Sequence, residues 1–265
     1  MKYTRVLFWS IPLIIFDYFK WMLKYSRHKD KYSLEERFGA VQKIIQKVIA
    51  HFHIEYDLVD CDEFLNAPEG TPNRFIACNH ISDIDPLILI AKAKRPMTVV
   101  AKIETSKYPF VGRAIRILDG EFIDRNDLMM QARVFKRVGE KMKTIPNLDW
   151  IIFVEGKRNK EDVEKVLGFH PGSFRQPMKE NLDICCFSIW GTQRILDIKD
   201  QSKYYPAHLK LNGIIKHEEY KGLTTVDVAN LAHEKIQKGI DEIKVLNIER
   251  FNELNKKKKK IEKQK

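Results

Sequence analysis

Asn79-His80-Ile81-Ser82-Asp83-Ile84-Asp85 sets a histidine and a carboxylate five positions apart, directly after an apolar run. A hydroxyl is a poor nucleophile until its proton leaves as it attacks. Histidine titrates near neutrality and suits that task. A carboxylate on the other ring nitrogen fixes the tautomer and stabilises the imidazolium. His80 is therefore a candidate general base and Asp85 its orienting acid. In isolation the pair is a weak signal, because Asp85 before Pro86 also suits a helix N-cap and Asn79-His80 a turn.

Further segments fit the same chemistry in order. Arg125 closes Phe122-Ile123-Asp124-Arg125 and can grip a phosphate in bidentate fashion, although pairing with Asp124 or Glu121 would account for it equally. Glu155-Gly156-Lys157-Arg158 follows a second apolar run. A glycine there lets backbone approach a ligand, and its N–H groups and flanking cations form a phosphate or oxyanion cradle. Lys102, in Ala101-Lys102-Ile103-Glu104, adds charge at another strand end. The loop from Gly168 to Arg175 can border a substrate channel, with His170 read as a loop histidine. There is no Gly-x-Ser-x-Gly elbow, P-loop or dinucleotide glycine signature. His51 and His53 have no nearby residue to complete a metal site, so no metal is expected.

These residues need elements to hold them. Alternation at 53–59 and short buried or β-branched runs at 75–78, 97–101, 121–124, 150–154 and 184–190 predict strands, with one or two more in 205–215. Helical periodicity predicts helices from Ser33, capped by Glu36, from Pro86 to about Ala93, over Leu128–Met142, and from Thr224 to about Ile243. Such alternation argues for one α/β domain, a central mixed β-sheet flanked by helices, with functional residues at strand ends along one edge. At 265 residues and 44% hydrophobic, the chain can bury one large core.

The net charge is +11, which favours anionic partners. No nucleic-acid module accompanies it, and nucleic acid is not expected as a partner. Residues 1–28 mix an apolar run, Val6 to Phe16, with Trp9, Tyr18, Trp21, Tyr25, Lys20 and Lys24. The run falls short of the roughly 20 residues a spanning helix needs. It reads as an interfacial or shallowly inserted helical anchor, with a core helix as the alternative. The domain then occupies 29–250, and 251–265 reads as a lysine-rich, disordered tail. Four cysteines without Cys-x-x-Cys spacing suggest a reducing compartment.

The segments together resemble the glycerolipid acyltransferase family, especially bacterial 1-acyl-glycerol-3-phosphate acyltransferases. Asn79, His80 and Asp85 match its Asn-His-x-x-x-x-Asp motif, and Phe122 to Arg125 its Phe-Ile-Asp-Arg. Lys102, Glu104, Pro109, Phe110 and Gly112 match a segment between them. The family's Phe-Pro-Glu-Gly-Thr-Arg stands here as Phe153-Val154-Glu155-Gly156-Lys157-Arg158, with proline and threonine replaced. A usually proline-containing fourth motif falls on Ile184 to Ile189, which has none.

The resemblance implies acyl transfer from acyl-CoA or acyl-carrier protein to the sn-2 hydroxyl of lysophosphatidate, giving phosphatidate, with no cofactor. It implies His80 as base, Asp85 as its acid, and Arg125, Glu155, Gly156, Arg158 and Lys102 as phosphate-binding. It further implies an anionic membrane surface as partner, at the cytoplasmic face of the cell membrane. Another acceptor, such as glycerol-3-phosphate, or a non-catalytic membrane-binding relative, stays open on the sequence.

Overall fold

A computed structural model of the chain describes residues 15–262, except 198 and 201. Seven strands, β1 (Ile54–Val59), β2 (Phe75–Cys78), β3 (Met97–Lys102), β4 (Glu121–Ile123), β5 (Asp149–Phe153), β6 (Ile184–Trp190) and β7 (Tyr205–Ile215), form one sheet in the order β1-β7-β6-β2-β5-β3-β4. The expected mixed α/β sheet is therefore present. β2 pairs in parallel with β5 and β6, and β3 with β4 and β5. β7 runs antiparallel to β6 and parallel to β1. The C-terminal ends of β2 to β6 thus share one edge with the starts of β1 and β7.

Alternation within each strand builds two cores. On one face Ile76, Cys78, Ile151, Cys185, Phe187 and Ile189 pack with apolar residues of the helices Leu34–His51, Asp85–Ala91 and Pro109–Ile117. On the other, Phe75, Ala77, Trp150, Ile152, Ile184 and Cys186 meet Leu128–Thr144 and the final helix, Thr225–Glu262. Each large aliphatic so buried contributes about 1.5–3 kcal/mol. All four cysteines are buried free thiols. Burial pushes the Cys61 thiol up to about 11, with the Asp60 charge adding to the rise and hydrogen bonds to the Leu211 and Val59 backbone opposing it.

Local signals place the helices. Ser33 and Glu36 form the expected reciprocal cap of Leu34–His51. Asp127, not Asn126, caps Leu128–Thr144 by accepting from the Met130 N–H. His51 ends a helix and His53 has a left-handed φ of 53°, so they do not share a strand face.

The largest departure from expectation is the last helix. It continues past Ile243 to Glu262, through most of the segment read as a disordered tail. Asn247, Arg250, Phe251 and Asn255 all grip the domain, and lysine is itself a good helix former.

Of the N-terminal segment, the first fourteen residues lie outside the described ones. From Ile15 to Arg27 the chain is helical, including a π turn at Tyr18–Met22. Met22 and Tyr25 bury one face, while Ile15, Phe16 and Phe19 are exposed. Asp17 is buried and paired with Lys47 at 2.8 Å. Among the described residues no helix is long and apolar enough to cross a membrane.

Candidate active site

β2 ends at Cys78, and the chain turns through Asn79 and His80 into the Asp85–Ala91 helix. Asn79 is fixed first. Its amide accepts from the Ile189 N–H at 2.8 Å and donates to the Ile189 carbonyl at 3.1 Å, extending the sheet by a side chain. His80 then lies over β5, its ring stacked on Phe153 with centroids 4.1 Å apart.

The histidine and carboxylate do meet. His80 Nδ1 lies 2.8 Å from Asp85 Oδ2. The same oxygen accepts from the Ile81 and Ser82 N–H groups, each at 2.8 Å. Oδ1 accepts from the Thr192 hydroxyl at 2.6 Å. An acceptor so surrounded takes the Nδ1 proton and leaves Nε2 as the basic nitrogen. Nε2 has no partner among the described residues, and the His80 side chain is 13% exposed while that of Asp85 is 0%. Asp85 also opens its helix, but the N-cap position is Ile84 and carries no side-chain cap. The carboxylate's hydrogen bonds go to the turn and to the histidine.

Glu155 sits elsewhere than the resemblance implied. It is buried, and its oxygens accept from the His80 N–H at 2.7 Å and the Leu167 N–H at 3.1 Å. One oxygen thus holds the backbone of the histidine turn and the other that of Leu167. Burial pushes its carboxyl up to about 7, against the pull of those two hydrogen bonds, with Asp85 adding to the rise. The Asn159 N–H closes the same turn on the His80 carbonyl at 2.7 Å.

Gly156 has φ 68°, and a Cβ there would lie 2.6 Å from the His170 ring. Both the backbone angle and that ring exclude a side chain. His170 thus packs beneath the turn, as a loop histidine should.

The cations lie around this centre. The Arg125 guanidinium has no hydrogen-bond or ion-pair partner among the described residues, although its carbonyl accepts from the Gln131 amide at 2.9 Å; Glu121, its suggested partner, instead binds Arg137 at 2.9 Å and Lys141 at 2.7 Å. Desolvation lowers the Arg125 pKa; Glu104 opposes that shift, and the nearby Arg158 charge reinforces it. Arg158 pairs with exposed Asp83 at 2.5 Å, and Lys102 with Glu104 at 2.7 Å. Two guanidiniums close enough to repel, each with weak or exposed partners, can take a phosphate dianion between them. Among the described residues no cluster suits a metal ion.

Sequence reasoning missed three contributors. Thr192 lies on the turn after β6, beside Gly191 with φ 96°. Phe153 supports the imidazole, and Asn79 joins β2 to β6. A Gly-Thr pair closing a mostly apolar strand was the available signal for Thr192.

The chain is similar to several known acyltransferases. The family model described as Acyltransferase matches residues 62–190, which include the site residues above other than Gly191 and Thr192. A curated 1-acyl-sn-glycerol-3-phosphate acyltransferase of Borreliella burgdorferi is 25% identical over 185 residues, 68% of this chain and 70% of the relative. A probable 1-acyl-sn-glycerol-3-phosphate acyltransferase of Mycoplasma pneumoniae is 26% identical over 141 residues, 51% of this chain and 49% of the relative. The crystal structure of the 1-acyl-sn-glycerophosphate acyltransferase PlsC from Thermotoga maritima superposes with a TM-score of 0.71, covering 92% of this chain and 98% of that one at 21% identity, and so shares the fold. Over residues 62–190 the chain is similar to the acyltransferase family.

Proposed function

We propose that this chain transfers a fatty acyl group from a thioester, acyl-CoA or acyl-carrier protein, to the sn-2 hydroxyl of 1-acyl-glycerol-3-phosphate, giving phosphatidate. The observation that carries the reading is the 2.8 Å contact between His80 Nδ1 and Asp85, which leaves Nε2 as the basic nitrogen, while Arg125 and Arg158 lie close enough to one another to repel. The named relatives act on this acceptor and support its choice.

The acceptor hydroxyl gives its proton to His80 Nε2 as its oxygen attacks the thioester carbonyl. Asp85 balances the imidazolium that forms. The tetrahedral intermediate collapses, the C–S bond breaks, and the thiolate leaves with the proton returned from His80. A thioester is already activated, so no covalent enzyme intermediate and no cofactor is needed. Arg125 and Arg158 hold the acceptor phosphate, with Lys102 contributing charge, and Gly156 keeps the backbone low beneath it. Glu155 contributes by holding the histidine turn.

Thiol release from each donor, with lysophosphatidate as acceptor, tests the reading. Acceptor-dependent release is expected, falling about a thousandfold in His80→Ala. Equal release by the variant removes His80 as the base. No release with lysophosphatidate, but release with glycerol-3-phosphate, changes the acceptor.

A further inference from the structure

The last helix carries five consecutive lysines, Lys256 to Lys260, that the acyl-transfer chemistry does not use. Their place in the fold gives them a direction. β7 is antiparallel to β6, so β7 begins at the edge where β2 to β6 end, with Trp190 opposite His208. The final helix returns along β7 toward that beginning. Asn247 donates to the Pro206 carbonyl at 2.7 Å, and Asn255 to the Tyr204 carbonyl at 3.3 Å. Arg194, two residues past Thr192, places its guanidinium 4.4 Å from the Phe251 ring. The helix is therefore tied to the catalytic edge through Asn255, and the lysine run follows directly after that residue in the sequence.

From Asn255 the helix runs seven residues more, to Glu262. At ~1.5 Å per residue that is a projection of roughly 10 Å. Exposed Val245, Leu246 and Ile248 lie on the preceding turns.

The other face of the sheet brings a second feature to the same edge. The Leu34–His51 helix ends there, since His53 leads directly into β1 and its ring meets Tyr204 at 5.7 Å. Lys47, near that end, holds Asp17, next to exposed Phe16 and Phe19. The catalytic edge is flanked by aromatic side chains on one face and by a cationic helix tip on the other. That pairing fits a lipid surface, where apolar groups enter and lysines meet anionic headgroups.

We propose that the lysine-bearing end of the last helix is an electrostatic anchor for an anionic lipid surface, holding the catalytic edge toward it. The purpose of the anchor rests on the lipid-acceptor reading above; its measurement does not. Each lysine near such a surface is attracted to its anionic headgroups, and five suffice for a large preference.

Vesicle sedimentation of the full chain tests this. Wild type is compared with a protein carrying Lys256→Gln, Lys257→Gln, Lys258→Gln, Lys259→Gln and Lys260→Gln, since glutamine keeps helix propensity and removes charge. Vesicles are phosphatidylcholine alone or mixed with phosphatidylglycerol. Wild type is expected to prefer the mixed vesicles, with salt weakening the preference. The variant is expected to lose about tenfold or more of the binding to mixed vesicles and none of that to phosphatidylcholine. Equal binding of variant and wild type to the mixed vesicles overturns the proposal. So does a variant that keeps vesicle binding and loses retention of RNA, which would assign the lysines to nucleic acid. Sedimentation needs no turnover, so a protein inactive on lysophosphatidate whose variant still loses vesicle binding refutes the acceptor and leaves the anchor standing.

Discussion

Asp85 and Asp149 are both fully buried, and they lie at opposite edges of the sheet. Asp149, at the start of β5, faces fixed cations. Arg74 reaches it at 2.6 Å and Arg95 at 3.7 Å, while Arg74 also lies 3.8 Å from the Phe64 ring. Asp85 faces two backbone N–H groups, one hydroxyl and one imidazole. Every hydrogen-bonding need is met in both cases, but only Asp149 has its charge balanced by an arginine. A buried carboxylate answered by arginine is finished as a piece of structure. One answered by neutral donors keeps a negative charge for a proton arriving on His80 to balance. The chemistry of the molecule lies in that difference.

The largest test of the contrast exchanges chemistry for structure. Asp85→Asn is expected to lower turnover about a thousandfold or more, because an amide can hold the wrong tautomer and cannot balance an imidazolium. Single-turnover rates with matched folded fractions would read it; a rate within tenfold of wild type would make Asp85 a structural residue like Asp149. Asp149→Ala, the converse, leaves Arg74 buried without its partner and is expected to cost about 3–5 kcal/mol in urea unfolding. Turnover per folded molecule should stay at the wild-type value.

Glu155 lies between the two cases, close to Asp85 and without a cation. Its carboxyl is raised from 4.5 to about 7, so between those values the folded chain holds a proton that the unfolded chain releases. Stability therefore falls as pH rises from about 4.5 to about 7, by about 3 kcal/mol at 1.36 kcal/mol per pH unit. In Glu155→Gln that decline should disappear from a pH series of unfolding curves. An unchanged slope would assign it to other groups.

The smallest effect concerns Thr192. Thr192→Val removes one donor to Asp85 and should lower kcat about tenfold with KM unchanged. Thr192→Ser should restore it, which a purely steric role for the side chain would not produce.

How far the sequence disclosed this site depends on separation along the chain. His80 and Asp85 were legible because one short turn holds both, so spacing alone could bring them together. Arg125 and Arg158 were legible as strand-end cations, but their proximity was not, because it needs the order β5-β3-β4. Thr192 was not legible at 107 positions from Asp85, nor was the Asn79 bridge to Ile189 at 110. Glu155 shows a different limit. A carboxylate after a buried strand has the same sequence signature whether it faces ligand or backbone, and only the Leu167 and His80 N–H groups decide.

The fold was read more fully than the site, since six strands and the major helices follow from local apolar patterns. The end of the last helix was misjudged because a lysine run looks the same solvated or helical. What extends it is Asn247, Arg250 and Asn255 reaching β1 and the start of β7, contacts no local pattern contains.

The four sealed thiols have a practical consequence. A chromogenic disulfide reagent that detects CoA as it leaves will find no cysteine on the folded chain, all four being buried. The reaction can be followed continuously with the enzyme contributing no colour of its own. With substrate left out, the same reagent becomes a clock for opening of the core, because Cys78, Cys185 and Cys186 colour only when the central strands β2 and β6 come apart.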